Sequence, residues 1–339
     1  MDSSTLPSSS PQARRQIPHG ALLLLCTAVG SLLLCILYTV AWNPEIRFFR
    51  GVAELKWRFA DSVSAAGQAK VVIFGGSSCA FSINGERMRD EHHIPLVNCG
   101  LGAGLGAKVL AHEAVATLRT GDTLIVALEP SHLTYSLEPP LLGIQHAFAR
   151  GHLDWVTENN LGLDGVPTLS ALLALRPGGY HGITLLGKVL GRRPLYRYKI
   201  TEVSPSGWQQ TDVRTDIAGS PSHGPQLSPD GIRFLRALRD LSEKKGVRIA
   251  YSLPWLYTPV AKAGEYQESC RRFLFQVAEF IPVLRDPRLG AYTVREHFSD
   301  TVWHLTVEGS NLRTDTLAQQ LKKWEIWARA DLQARTETR

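Results

Sequence analysis

The sequence predicts an α/β fold, a mostly parallel sheet with helices on both faces, carried behind one membrane anchor. Three observations predict it. Short β-branched runs alternate with helical periods from residue 69 onward. The first run, Val71-Val72-Ile73-Phe74, is apolar at every position, as in a strand covered on both faces. The 22 residues from Ala21 to Trp42 pass without a charge, which is enough to cross a bilayer as a helix. The remaining composition is that of an ordinary globular protein: 339 residues, 44% hydrophobic and 20% charged. The net charge of +6 is scattered, with no basic run longer than a pair such as Arg192-Arg193 or Lys244-Lys245. That pattern argues against nucleic acid as a partner and leaves an anionic surface, such as phospholipid headgroups or an acidic polymer. The five cysteines, Cys26, Cys35, Cys79, Cys99 and Cys270, have no CxxC spacing. No metal site and no cofactor are expected from them.

In chain order, residues 1–19 are rich in serine and proline and read as a disordered tail. Residues 20–42 are the anchor, longer than the apolar core of a cleaved signal peptide, although Thr39-Val40-Ala41 imitates a cleavage site. Basic residues flank both sides, Arg14 and Arg15 before the span and Arg47, Arg50, Lys56 and Arg58 after it. Counted alone they slightly favour a cytoplasmic domain, although large domains cross membranes largely regardless of such charges. Residues 43–66 form a juxtamembrane helix or linker. Its mixture of Phe48, Phe49, Val52, Trp57 and basic residues suits either an interfacial helix or the first helix packed on the domain. One α/β domain, 67–328, follows, and 329–339 is read as a C-terminal tail. Its strands are expected at 71–74, 94–97, 123–128, 247–253 and 281–284. Helices are expected at 83–90, 108–119, 229–245, 266–280 and 312–328. The third strand is followed by an insertion over about 133–225, punctuated by Pro177-Gly178-Gly179, Ser204-Pro205-Ser206-Gly207 and Ser220-Pro221-Ser222. Its recurring leucines and aromatics read as a cap or an elaborated crossover.

Chemistry is concentrated at the carboxyl ends of the strands, where open α/β sheets bind ligands. Gly75-Gly76 turns the chain out of the first strand, and Ser77 then stands beside helix N-terminal amides, as a nucleophile does. Ser77 and Ser78 equally suit a helix cap. The run Asn98-Cys99-Gly100-Leu101-Gly102-Ala103-Gly104-Leu105-Gly106-Ala107 follows the second strand. It has three readings. Amides near Gly100 or Gly102, with the Asn98 side chain, could hold an oxyanion. Gly102-x-Gly104-x-x-Ala107 with Asp122 could be a dinucleotide fingerprint, against which stand its place after the second strand and that of Asp122 before the third. The glycines could also serve close helix–sheet packing. Near the C-terminus, Asp300 and His304 precede the last helix. His304 suits a general base and Asp300 its orienting carboxylate, or the pair is surface polarity. His92-His93 lacks metal partners in sequence. Cys79 reads as a core residue, and Tyr135, Trp255 and Tyr257 read as packing aromatics.

Taken together, Gly75-Gly76-Ser77-Ser78, Asn98-x-Gly100 and Asp300…His304-Leu305…Gly309 resemble the SGNH (GDSL-like) hydrolase superfamily. The resemblance covers residues 70–325 apart from the insertion. It implies a flavodoxin-like three-layer α/β/α sandwich with a five-stranded sheet, and ester or acyl-transfer chemistry without a metal. It implies Ser77 as nucleophile (Ser78 in the alternative register), His304 as base, and Gly76, Asn98, Gly100 and Gly102 around the oxyanion. Two departures stand out. The family's third block supplies an oxyanion asparagine, whereas here Leu128-Glu129-Pro130-Ser131-His132 follows the third strand, so Glu129 or His132 would line the site. The aspartate also stands four residues before the histidine rather than three. The layout is similar to anchored envelope proteins of polysaccharide O-acetylation and teichoic-acid D-alanylation. That similarity implies an extracytoplasmic domain, an acyl-ester or polysaccharide substrate and a membrane acyltransferase partner. The other reading is a catalytically inactive module that binds glycan or such a partner.

Overall fold

The computed structural model describes residues 19–176, 179–211 and 226–337. The tail at 1–18 and the turn signals at Pro177-Gly178 and Ser220-Pro221-Ser222 lie outside them. Helix α1 (His19–Leu37) has no buried residue, and Leu23, Leu24 and Leu34 are among its most exposed side chains. A widened turn (Tyr38–Trp42) extends it, closed by the Asn43 N–H on the Tyr38 carbonyl at 2.7 Å. Among the described residues, His19–Trp42 is the one segment long and apolar enough to cross a membrane. Asn43 then caps α2 (Pro44–Ala65), its side chain accepting the amides of Glu45 and Ile46 at 3.1 and 3.3 Å. Ile46, Phe48, Phe49, Val52, Ala53 and Ala60 of α2 are buried in the domain. Of the two readings of this stretch, the packed helix is the one the fold contains.

The sheet has four parallel strands in the order β2-β1-β3-β4: β1 (Val71–Phe74), β2 (Leu96–Asn98), β3 (Thr123–Val126) and β4 (Arg248–Tyr251). Val72 lies beside both Val97 and Leu124, and Leu124 beside Ile249. The expected fifth strand at 281–284 is reduced to one bridge, Val283 beside Tyr251. Pro282 accepts the Tyr251 amide at 2.7 Å but has no N–H of its own to continue a ladder. Beyond β4 the chain forms a second, two-stranded parallel sheet, β5 (Leu256–Tyr257) with β6 (Ala291–Tyr292), which the sequence reading lacked.

Helices α3 (Ser77–Ala80) and α4 (Gly85–His92) follow β1, and α5 (Ala107–Val115) follows β2. The long crossover carries α6 (Ser131–Thr134), α7 (Leu141–Ala149), α8 (Asp154–Thr157), α9 (Thr168–Leu173) and α10 (Gly179–Leu190). Then come α11 (Pro229–Lys245), α12 (Val260–Ala278) and α13 (Val307–Glu337). The period-2 alternation of the strands divides the core. Val72, Phe74, Leu124 and Val126 pack with α2, α5, α7 and α11 on one face. Val71, Ile73 and Ile125 pack with α4 and α13 on the other, through Met88, Leu317 and Leu321. Helix α13 begins five residues earlier than expected and runs through the segment read as a tail, since residues 325–337 contain no glycine or proline to stop it.

Asp122 sits at the entry of β3, 2% exposed, and its carboxylate takes the Lys70 ammonium at 2.6 Å and the amides of Lys70 and Arg119 at 3.0 and 2.8 Å. It therefore clamps the amino ends of β1 and β3, opposite the edge where a nucleotide would bind. The ribose-acid role is closed to it.

Candidate active site

The turn after β1 is held by close backbone approaches. A Cβ on Gly76 would come within 2.5 Å of both Glu129 carboxylate oxygens, and one on Gly100 within 2.4 Å of the Ala80 nitrogen. Only glycine lets these three strand ends meet. Ser77 opens α3 and is partly exposed, whereas Ser78 is fully buried and its Oγ has no partner. The serine that faces outward is Ser77. Cys79, two residues on, is buried, and burial pushes its thiol far up. It is a packing residue.

The Asp300–His304 pair is assembled against this turn. His304 Nδ1 and Asp300 Oδ1 lie 2.8 Å apart. The four-residue spacing is absorbed by a tight loop in which the His304 amide donates to Thr301 Oγ1 at 3.1 Å and the His304 carbonyl accepts the Ser299 amide at 2.8 Å. The imidazole stacks on Phe81 with ring centres 4.1 Å apart and planes 19° from parallel. Phe81 closes α3, its amide donating to the Ser77 carbonyl at 3.0 Å. The histidine ring thus lies on the residue that ends the turn Ser77 opens. The hydrogen bonds of that ring run through Nδ1, and none joins it to Ser77.

Asp300 has two further partners from the crossover, Tyr198 and Arg197. The Tyr198 hydroxyl donates to Oδ2 at 3.0 Å, and the Arg197 guanidinium lies 2.9 Å from the same oxygen. Burial works to raise the Asp300 carboxyl, but the His304 hydrogen bond and charge, Tyr198 and Arg197 outweigh it and hold it at about 2. Burial and the neighbouring carboxylate push the Tyr198 phenol well up, so it stays a donor. A depressed carboxyl adds stability above its unfolded value, near ~3.9, and loses it as the pH falls towards ~2, in all about 2 kcal/mol. The stability gap between wild type and Asp300→Asn, read from urea unfolding, should therefore shrink by about that amount between about pH 5 and about pH 2.5. A gap that is constant over this range overturns the assignment.

The remaining expected site residues divide. Glu129, 4% exposed, accepts the Gly76 amide on one carboxylate oxygen at 3.3 Å and the Ser78 amide on the other at 3.1 Å. His132 Nε2 lies 3.5 Å from Glu129 Oε2. The third block therefore meets the Ser77 turn, but with a negative acceptor on the amides where an oxyanion would form. Asn98 is spent on structure. Its Nδ2 donates to the carbonyls of Cys79 and Ile83 at 3.0 and 2.8 Å, and its Oδ1 accepts the Gly100 amide at 2.9 Å. Gly102 is packed under α2, where a Cβ would strike the Phe49 ring at 2.5 Å.

Lys56 was not anticipated as a site neighbour. Its ammonium is buried and donates to the Gly100 carbonyl, and burial lowers it to about 8 against the opposing influence of Cys99, Cys79 and Glu113. The alternation Tyr196-Arg197-Tyr198 is the sequence signal that could have pointed to the Asp300 partners. A cavity of about 40 Å³ is lined by Phe49, Ala80, Phe81, Gly100 and Tyr198 among others, and by neither Ser77 nor His304. The larger clefts, about 450 and 440 Å³, lie between α4 and α13 and along α2, and neither is lined by Ser77 or His304. Glu91 and His92 converge on Asp315, which lines the first, but Arg87 bonds both carboxylates at 2.7 and 2.8 Å and supplies the positive charge itself. Compared with known proteins, the chain matches no family model, no curated protein and no solved structure.

Proposed function

We propose that this chain is a membrane-anchored serine esterase or O-acyltransferase of the SGNH type, with its domain on the extracytoplasmic side. The observation that carries the reading is the Asp300–His304 pair, hydrogen-bonded at 2.8 Å and laid on Phe81 at the end of the Ser77 turn. The sheet is read as flavodoxin-like, with Val283 beside β4 as the vestige of its fifth position. In the reaction, His304 Nε2 takes the Ser77 proton as Oγ bonds to the acyl carbon, and Asp300 stabilises the imidazolium. Collapse of the tetrahedral intermediate expels the alcohol, which takes the proton back from His304. Water or a sugar hydroxyl then attacks the acyl-serine by the same steps in reverse. An envelope polysaccharide is the substrate class this reading carries, and a membrane acyltransferase is a partner that would supply the acyl group.

A second reading is favoured by the Glu129 carboxylate on the Gly76 and Ser78 amides: an inactive SGNH-like module that binds glycan or a membrane partner. Labelling with a fluorophosphonate serine probe separates the two. The full chain is used in detergent micelles, because α2 is part of the core. The catalytic reading expects covalent labelling that Ser77→Ala abolishes and Ser78→Ala retains. A folded wild type that takes no label supports the binding module.

A further inference from the structure

We propose that α10 is an interfacial helix that seats on the same bilayer α1 crosses, dipping its apolar face among the headgroups. Its outward side carries Ile183, Leu186, Val189 and Leu190, exposed by 70, 58, 58 and 75%. Thr184, Leu185 and Lys188 on the other side are partly covered. The helix is thus amphipathic with its apolar stripe outward, the reverse of a helix packed on a core. Leu169 of α9 is 70% exposed as well. Exposed apolar residues elsewhere in the domain, such as Phe275 and Leu312, are scattered on separate helices, which is ordinary for a soluble surface.

The position of the patch selects the occupant. The chain between α9 and α10 is bonded to the end of the membrane-crossing segment: Leu175 accepts the Thr39 hydroxyl at 3.1 Å. Gln145 of α7 reinforces this contact by donating to the Ala174 carbonyl at 3.1 Å. Further along, Lys188 of α10 lies within electrostatic reach of Glu45, in the first turn of α2 and three residues past the end of the span. Trp42, at that end, is 57% exposed, where membrane proteins place aromatic side chains at the headgroup level. Helix α10 thus projects its apolar face from the level at which α1 leaves the hydrocarbon. Arg192 and Arg193, both exposed, follow the stripe immediately and suit anionic headgroups. A lipid surface is the one partner that satisfies apolar face, basic flank and position together.

The seat holds whether or not Ser77 is a nucleophile, but it bears on the site. The chain leaving α10 runs directly to Arg197 and Tyr198, which hold Asp300. The segment that touches the membrane is continuous with the one that orients the histidine.

The test places the photocrosslinker p-benzoylphenylalanine at position 186, or at 275 as a control, in the full chain reconstituted into phosphatidylethanolamine–phosphatidylglycerol vesicles. Irradiation should add the mass of one phospholipid at 186 and none at 275. In a second arm the crosslinker stands at 183 and the chain carries Leu186→Asp and Leu190→Asp. Both sites are exposed, so the fold should be kept, as unchanged thermal unfolding would verify, while the lipid adduct is lost. A protein–protein adduct at 186, equal lipid adducts at 186 and 275, no adduct at 186, or an adduct at 183 that survives both aspartates each overturns the seat.

Discussion

Replacing Asp300 with Asn should slow acylation of Ser77 by about 10⁴, because an amide in that place no longer selects the productive histidine tautomer. The geometry gives the expectation its basis. Asp300 faces Nδ1 at 2.8 Å, so Nδ1 is the protonated nitrogen and Nε2 is left as the base. An asparagine fixed by Tyr198 and Arg197 on one side would turn its NH₂ towards Nδ1 and reverse this. The rate is measured as the second-order rate constant of fluorophosphonate labelling, with circular dichroism to show that the variant folds. Tyr198→Phe keeps the Asp300–His304 bond and should cost much less, on the order of one hydrogen bond to a charged group. If Asp300→Asn and Tyr198→Phe slow labelling equally, the pair is held by the loop alone and the catalytic reading of Asp300 fails.

Replacing Glu129 with Gln should accelerate the same labelling by about 10- to 100-fold, since the loss of one oxyanion donor elsewhere costs roughly 10²–10³. The amides of Gly76 and Ser78 point at a carboxylate 3.3 and 3.1 Å away. Negative charge developing on a tetrahedral oxygen there would meet a fixed negative charge in a site with little water to screen it. Glutamine has the same shape and removes that charge, but keeps only one of the two acceptors and turns its NH₂ towards the other amide. The change therefore separates an electrostatic shield from a structural brace. Slower labelling, with unfolding shifted to lower temperature, would make Glu129 a brace for the glycine turn and remove it from the oxyanion argument.

Much of the fold was legible because strand burial and helix amphipathicity are written in local periodicity. Val71–Phe74 is apolar at every position and is one of the two inner strands of the sheet. The helix at 229–245 starts at the Ser228-Pro229-Asp230 signal, with Ser228 as its N-cap and Pro229 in its first turn. The fifth strand failed for a local reason too, since Pro282 cannot donate to a ladder. The two-residue strands β5 and β6 carry no periodicity to read. In the site, the approach of His304 to the Ser77 turn was inferred from resemblance and not from spacing, because some 220 residues separate them and only packing brings them together. Asn98 shows the converse. Its side chain was legible as polar at a strand end, but whether it faces a ligand or the carbonyls of Cys79 and Ile83 depends on how α3 folds back over it.

The sequence by itself determined the apolar N-terminal segment, the parallel α/β order and the serine pair on a glycine turn, because each is fixed by residues next to one another. Only the tertiary structure decided that α2 is core, that Asp122 is a clamp, that Tyr198 and Arg197 hold Asp300, and that Glu129 occupies the amides beside Ser77. Those assignments depend on which distant side chains share one desolvated space, where an unpaired polar group is costly and each partner is chosen by what else is buried there.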